Sequence, residues 1–290
     1  MTPTKLSEKV VLVKLTMRRA TLTKRDNFLT DKIQRQEQDA SLTVLTKLFR
    51  DKTNAINTVM SAMNDVYICH KERTLPWVDA GPRLLLNDKY FDYTFEMKTL
   101  IGKVDKLLSE HMPQYDQLVL DDIRYRNAGS AAGRAHISDY PTADTFKQSM
   151  SAEFRFQPMP DARHFVFDLS EEDEAAFAQA EADALALANT DTINRMLKPL
   201  ASLVTKLKEY QGAKGERFHT SLVENVIEGC DMAMSLAISP TPELIAEITE
   251  LRDVAKSCLT SVEVIKGSSM ARDSAKRRLE DIAAKMSMFQ

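Results

Sequence analysis

The chain of 290 residues contains few glycines and few cysteines. Eight glycines are too few for the many tight turns of β-sandwiches and barrels, and for α/β enzymes with glycine-rich loops. The three cysteines, Cys69, Cys230 and Cys258, are too sparse and scattered for a disulfide scaffold. We therefore expect reduced thiols in a cytosol-like compartment.

Long hydrophobic runs are also absent. No stretch reaches the ~18 consecutive apolar residues that typify a membrane-spanning helix, so we expect no membrane partner. Near the N-terminus the apolar run Val10–Val13 is interrupted by Lys14, which makes it too short for the core of a signal peptide. Hydrophobic residues at 43% and charged residues at 28% match an ordinary soluble globular chain.

Motifs that would carry catalysis, a cofactor or a metal are missing. The sequence contains no His-x-x-x-His, no Cys-x-x-Cys, no phosphate-binding Gly-x-x-x-x-Gly-Lys and no Gly-x-Ser-x-Gly. The adjacent acids Asp121 and Asp122 lie on a short predicted helix without a nearby catalytic partner in sequence. We therefore predict a protein that is not an enzyme and has no cofactor or metal. An enzyme whose residues meet only in three dimensions is the open alternative.

Helical periodicity dominates what is present. Between Leu29 and about His70 there is no Gly or Pro, and apolar residues recur at helical spacing. This pattern predicts one helix of roughly 60 Å, suited to a long antiparallel hairpin or a self-associating coiled coil. Further helices are predicted at Lys89–His111 and Tyr115–Arg126. The fold class is therefore mostly α, with long antiparallel helices or a helical bundle.

The C-terminal half also reads as helical. Ser170 followed by Glu171, Glu172 and Asp173 is typical of a helix start. The predicted helix extends to Gln211, with a kink or break at Pro199. Three more helices, Glu216–Ile238, Glu243–Ile265 and Met270–Met286, complete a predicted antiparallel array of four helices.

A small β element accompanies the helices. Val10–Met17, Glu153–Gln157 and His164–Asp168 alternate or are β-branched, which predicts a two- to three-stranded sheet, whereas Pro76–Asn87 reads as a loop. The expected divisions of the chain are 1–128 for the N-terminal strand and helical hairpin, 129–169 for the loop and β element, and 170–290 for the C-terminal array.

Charge is segregated along a chain whose formal net charge is only −3. Residues 1–55 carry 12 basic against 6 acidic residues, and residues 160–191 carry nine acids against one arginine. Residues 266–285 carry six basic against three acidic residues. One interpretation is solvated faces with intramolecular pairing. The other is a basic nucleic-acid surface formed by the N-terminal and last helices.

Aromatic residues cluster with basic ones after the first long helix. Trp77, Tyr90, Phe91, Tyr93 and Phe95 alternate there with Arg73, Arg83 and Lys89. This cluster is either a stacking platform for single-stranded nucleic acid or a hydrophobic plug of the helix–loop–helix junction. The candidate nucleic-acid or partner contacts are Arg18, Arg19, Lys24, Arg25, Lys32, Arg35, Arg73, Trp77 and Arg83.

Several short motifs carry a resemblance to a known family. They are Thr-Leu-Pro-Trp-Val-Asp-Ala-Gly-Pro-Arg-Leu-Leu over 74–85, Asp-Tyr-Pro over 139–141, and Pro158 to Ser170 with its Phe-x-x-Asp-Leu-Ser end. In order across most of the chain, these motifs resemble a family of tailed-bacteriophage proteins with no assigned chemistry. The resemblance implies an accessory role in the host cytoplasm, with an AAA+ ATPase among the conceivable phage or host partners. It supplies no catalytic residue.

Two functions are therefore expected from different classes. The first is a non-enzymatic phage accessory protein that acts through protein–protein contacts and self-assembles, with the polar part of the first long helix as its contact surface. The alternative is a single-stranded nucleic-acid-binding protein in phage DNA replication or recombination.

Overall fold

The computed structural model describes residues 6–78, 81–128, 135–159, 170–212, 216–238 and 240–289. The predicted fold class is confirmed, because the chain is mostly α-helical with a small antiparallel β element. It forms two compact units that are discontinuous in sequence. Unit 1 comprises Met1–Lys14, Glu72–Tyr90 and Phe156–Gln290, and unit 2 comprises Leu15–Lys71 and Phe91–Arg155.

The helices and strands of the described residues have the following bounds. The strands are β1 (Val10–Arg18), β2 (Thr23–Arg25), β3 (Leu45–Lys47), β4 (Leu75–Pro76), β5 (Pro82–Leu86) and β6 (Ser151–Gln157). The helices are α1 (Asn27–Glu37), α2 (Ala55–Arg73), α3 (Tyr90–His111), α4 (Tyr115–Ala128), α5 (Ala143–Gln148), α6 (Glu171–Glu209), α7 (Ser221–Leu236), α8 (Pro242–Thr260), α9 (Val262–Gly267) and α10 (Ser269–Met286). Across these residues, no helix has the length and apolar character needed to cross a membrane.

The larger sheet has the strand order β4-β5-β1-β6. β1 and β5 are antiparallel, in a register that runs from Val10 opposite Leu86 to Lys14 opposite Pro82. The expected strand at the N-terminus is confirmed. The predicted loop over 76–87 is wrong, because β5 lies there. Its short apolar run, with Leu84 and Leu85 buried, fits a strand that a turn precedes. The predicted strand at 164–168 falls outside the described residues.

The single long helix expected between Leu29 and His70 is wrong. Asp26 caps α1 by accepting a hydrogen bond from the N–H of Leu29 at 2.9 Å. The helix ends at Glu37, and the next residue, Gln38, has a left-handed conformation. The segment that follows alternates threonine and valine with leucine, and β3 within it pairs with β2. Apolar residues three apart fit a helix, but the β-branched residues between them favour a strand.

Four C-terminal helices of unit 1, α6, α7, α8 and α10, pack around one apolar core. Helix α6 continues unbroken through Pro199, so the alternative of a break there is wrong. A proline cannot donate to the carbonyl four residues earlier. That carbonyl, of Arg195, lies 3.1 Å from where a Cβ of Gly229 would be, so the missing side chain lets α7 approach α6 closely. Contrary to expectation, residues 243–265 form two helices, which meet at Ser261.

A second core of unit 1 lies beside its strands. Leu12, Leu75 and Leu84 of the sheet pack there with Trp77 and with Ala188 of α6. Arg195 of α6 donates hydrogen bonds to the backbone carbonyls of Glu72 (2.8 Å) and Thr74 (2.7 Å). These bonds anchor the start of the β4–β5 segment to the long helix within the same unit.

Candidate functional site

A fully buried carboxylate, that of Asp122, accepts several hydrogen bonds within unit 2. Asp122 of α4 accepts hydrogen bonds from the backbone N–H groups of Phe49 and Arg50, both at 2.8 Å, and from the Tyr140 hydroxyl at 2.5 Å. Burial of an isolated charge is costly, and three donors offset that cost. The carboxylate thereby holds the turn after β3, where Phe49 has a positive φ of 50°.

The hydrogen-bond network continues from Asp122 toward the surface. Arg126, one turn further along α4, donates from Nη1 to the Tyr140 hydroxyl at 3.0 Å and lies 3.8 Å from the Asp139 carboxylate. Asp139 also forms an ion pair with Lys24 of β2. Burial raises the pKa of Tyr140 well above its ordinary value, and its hydrogen bond to the Asp122 carboxylate raises it further.

A cavity of about 180 Å³ lies at the outer end of this network. Lys24, Arg25 and Arg126 supply three cations to its lining, and Asp26 and Asp139 supply two carboxylates. Phe28, at the start of α1, also lines the cavity and exposes 59% of its surface. All of these residues belong to unit 2. An excess of positive charge beside an aromatic ring is suited to a phosphorylated ligand.

Six of the predicted contact residues lie in unit 2 with exposed side chains: Arg18, Arg19, Lys24, Arg25, Lys32 and Arg35. Two of them are engaged within the unit. Arg19 donates to the Met63 carbonyl at 2.9 Å and lies 5.8 Å from the centre of the Tyr67 ring, and Lys24 pairs with Asp139. No ion pair forms in the described part of the chain at the other four.

The remaining three predicted contact residues lie in unit 1. Trp77 is buried with 9% of its surface exposed, among the apolar residues of the second core. Arg83 donates to the hydroxyl and the carbonyl of Thr74 at 2.7 and 3.0 Å, whereas Arg73 is exposed. A buried indole cannot stack on a nucleic-acid base, so the structure favours the hydrophobic-plug interpretation for Trp77.

Two other members of the aromatic cluster are strongly exposed. Phe91 and Phe95, one helical turn apart on α3, expose 80% and 75% of their surface. Gly102 lies on the same face of the helix, since successive residues turn by about 100°. A Cβ at Gly102 would meet no atom within 4 Å. We call Phe91, Phe95, Lys98 and Gly102 the α3 stripe; all four are exposed.

The described residues also bear on two other kinds of chemistry, that of a metal site and that of a reactive thiol. Within those residues no group of three His, Cys, Asp or Glu side chains could hold a metal ion. All three cysteines are reduced and buried. Burial raises the pKa of the Cys230 thiol to about 12, so this thiol is a poor nucleophile at neutral pH.

The sequence does not indicate that Asp122, Arg126, Asp139 and Tyr140 meet in one network. Asp122 and Arg126 are four apart on α4, which puts them on one helical face, but that spacing is common on exposed helices. Asp139 and Tyr140 belong to the Asp-Tyr-Pro motif over 139–141, which by itself indicates no chemical role.

No family model matches the chain, and comparisons with curated proteins and with solved structures found no similar protein.

Proposed function

We propose that this chain is a non-enzymatic accessory protein of a tailed bacteriophage, acting in the host cytoplasm through protein–protein contacts and self-association. The observation that carries the proposal is the exposure of Phe91 and Phe95 on the α3 stripe. Full burial of a phenylalanine side chain contributes about 1.5–3 kcal/mol. Paired exposed aromatics are therefore typical of a surface that another protein covers.

Gly102 adds a second reason to expect a partner at the α3 stripe. A glycine inside an exposed helix costs about 1 kcal/mol relative to alanine. Within the described residues nothing approaches Gly102 closely enough to require the missing side chain. A glycine there allows close approach by an element from outside, as small residues do between helices.

The occupant that we propose for the α3 stripe is a second copy of the chain. The stripe carries two projecting side chains and, seven residues from Phe95, a position without a side chain. Those seven residues correspond to about 10 Å along the helix. In a two-fold dimer the same patch meets itself, so antiparallel α3 helices can place Phe95 of one copy against Gly102 of the other.

Sedimentation velocity over a range of concentrations tests this proposal. The wild-type protein is expected to form a dimer or larger oligomer, and the double variant Phe91→Ser/Phe95→Ser to sediment as a monomer. Leu120→Ser, which changes an exposed apolar residue elsewhere in unit 2, is the matched control and should associate like the wild type. A wild-type protein that stays a compact monomer at every concentration would refute self-association.

A second candidate function is binding of single-stranded nucleic acid in phage DNA replication or recombination. It is favoured by the four exposed cations of unit 2 without an ion pair in the described residues, Arg18, Arg25, Lys32 and Arg35. Phosphate contacts release counterions, so the affinity should fall steeply as salt rises.

Fluorescence anisotropy of a labelled single-stranded oligonucleotide at several salt concentrations tests this candidate. The variant with Arg18, Arg19, Lys24 and Arg25 changed together to Ala should bind more weakly and with a smaller salt dependence. A control with Lys103, Lys106, Arg124 and Lys147 changed to Ala removes the same charge from exposed positions elsewhere in unit 2. Equal affinities for the two variants would reject the N-terminal placement.

A further inference from the structure

The cavity of unit 2 is lined by a buried arginine with a hydrogen-bond donor that no described residue satisfies. Its lining contains Arg126, whose side chain is nearly completely buried at 4% exposure. The buried Nε of Arg126 has no hydrogen-bond partner among the described residues. A buried guanidinium N–H without an acceptor is costly, and an acceptor atom supplied by a ligand would remove that cost.

Three further residues at the cavity offer hydrogen-bond donors to a ligand. Arg25 is exposed and makes no ion pair with any residue that the structure describes. Asn27, beside it at the start of α1, is also exposed and lines the cavity. Lys24 keeps two N–H donors beyond its contact with Asp139. Lys24, Arg25 and Arg126 line the same cavity, so all three can contribute positive charge toward one bound group.

The carboxylates of the lining have partners of their own. Asp26 accepts from the N–H of Leu29 at 2.9 Å and from the Thr46 hydroxyl at 3.4 Å. Asp139 accepts from Lys24 and from the N–H of His136 at 3.3 Å. These bonds occupy carboxylate oxygens, whereas Nε of Arg126 has no acceptor and Arg25 has no ion pair among the described residues.

We propose that this cavity binds a phosphate group, with Arg25 and Arg126 as the principal donors and Lys24 as an additional cation. Arginine donors match the geometry of a phosphate, and three cations favour its charge. The Phe28 ring at the cavity offers a face for a base attached to that phosphate. This phosphate site is independent of the proposed self-association. The oligonucleotide part of its test rests on the second candidate function, binding of single-stranded nucleic acid.

Isothermal titration with inorganic phosphate tests the cavity directly. Arg25→Gln is expected to weaken phosphate binding about tenfold, as loss of a charge-assisted hydrogen bond predicts. Arg18→Gln removes the same charge from an exposed position outside the cavity and should leave the affinity within about twofold, because exposed distant charges are screened. Arg126→Lys keeps the charge but loses Nε, and should also weaken binding.

The source of the phosphate is distinguished by competition. If inorganic phosphate displaces a labelled single-stranded oligonucleotide from the wild type but not from Arg25→Gln, the cavity holds a nucleic-acid phosphate. If phosphate and adenosine monophosphate bind while the oligonucleotide does not, the nucleic-acid candidate fails and the phosphate site remains. Absence of phosphate binding by the wild type, or equal binding by wild type and Arg25→Gln, overturns the inference. In that case, the double variant Arg18→Gln/Arg35→Gln tests the nucleic-acid candidate separately. If this variant binds the oligonucleotide more weakly than the wild type, the protein binds nucleic acid through other cations and not through this cavity.

Discussion

Two adjacent acids on α4 offer a sharp test of the network in unit 2. Asp122 is fully buried with three donors, whereas Asp121 lies on the surface, where it accepts from Gln117 at 2.8 Å and Arg124 at 3.2 Å. We expect Asp122→Ala to lower the free energy of unfolding by about 3–5 kcal/mol, as removal of one partner from a buried ionic network does. Asp121→Ala should cost about 0.5 kcal/mol or less, as exposed ion pairs do.

The size of the Asp122 effect follows from what the substitution leaves behind. The N–H groups of Phe49 and Arg50 and the Tyr140 hydroxyl each lose a charged acceptor. Each hydrogen bond to a charged group contributes about 1.5–3 kcal/mol, and the losses overlap because the donors converge on one carboxylate. A positive φ at Phe49 then persists without the bond that compensates for it.

Urea denaturation followed by far-ultraviolet circular dichroism measures both variants. Fluorescence of Trp77, the single tryptophan, reports in parallel on unit 1, to which Trp77 belongs. If the units unfold independently, Asp122→Ala moves the dichroism transition and leaves the fluorescence transition in place. A difference of less than about 1 kcal/mol between Asp121→Ala and Asp122→Ala would refute the reasoning, because large effects come from buried, fully bonded groups.

Three further predictions concern stability. Gly102→Ala should raise the free energy of unfolding of the monomer by about 1 kcal/mol. Gly229→Ala should lower it by about 1–3 kcal/mol, because a Cβ would lie 3.1 Å from the Arg195 carbonyl and overpack the contact between α6 and α7. Urea denaturation measures both changes. Burial, and then the charge of Asp116, raise the pKa of Tyr115 to about 12. The stability from its neutral phenol is therefore complete below about pH 10, the unfolded value, and decreases as the pH rises toward 12. An alkaline absorbance titration should show late phenolates from both Tyr115 and Tyr140, and Tyr115→Phe should remove the earlier of the two.

How well the sequence predicts each element of this fold depends on whether the interactions that form the element are local or distant in sequence. Helix starts with local chemistry were predictable: the Ser170 side chain accepts from the N–H of Asp173 at 3.1 Å, as its capping pattern indicated. The segment between Leu29 and His70 was not, because the interruption of the helix depends on partners distant in sequence. Phe49 is held by Asp122, 73 residues later, and no local pattern contains that bond.

The candidate site was only partly predictable for the same reason. Exposure of Arg18, Arg25 and Arg35 follows from their charge alone. Burial of Trp77 and of Arg126 does not, since both depend on which elements cover them. Arg83 illustrates the difference, because in the sequence it stands among aromatic residues as a candidate contact, while in the structure its guanidinium donates to Thr74.

The direction of the hydrogen bonds in the network determines which charge the network presents to the cavity. An ionised Asp122 can only accept, so the Tyr140 hydroxyl, 2.5 Å away, must donate to it. The Tyr140 oxygen is then free to accept from Nη1 of Arg126 at 3.0 Å. An arginine in a protein stays charged. The hydrogen bonds therefore connect the buried carboxylate of Asp122, through the Tyr140 hydroxyl, to the cationic guanidinium of Arg126 at the cavity. Asp122 thus helps to orient Arg126 through Tyr140 without contacting it, whereas Asp139, 3.8 Å away, is the carboxylate that pairs with Arg126. Because Lys24 and Arg25 also line the cavity, its cations still outnumber its carboxylates, as a phosphate ligand requires.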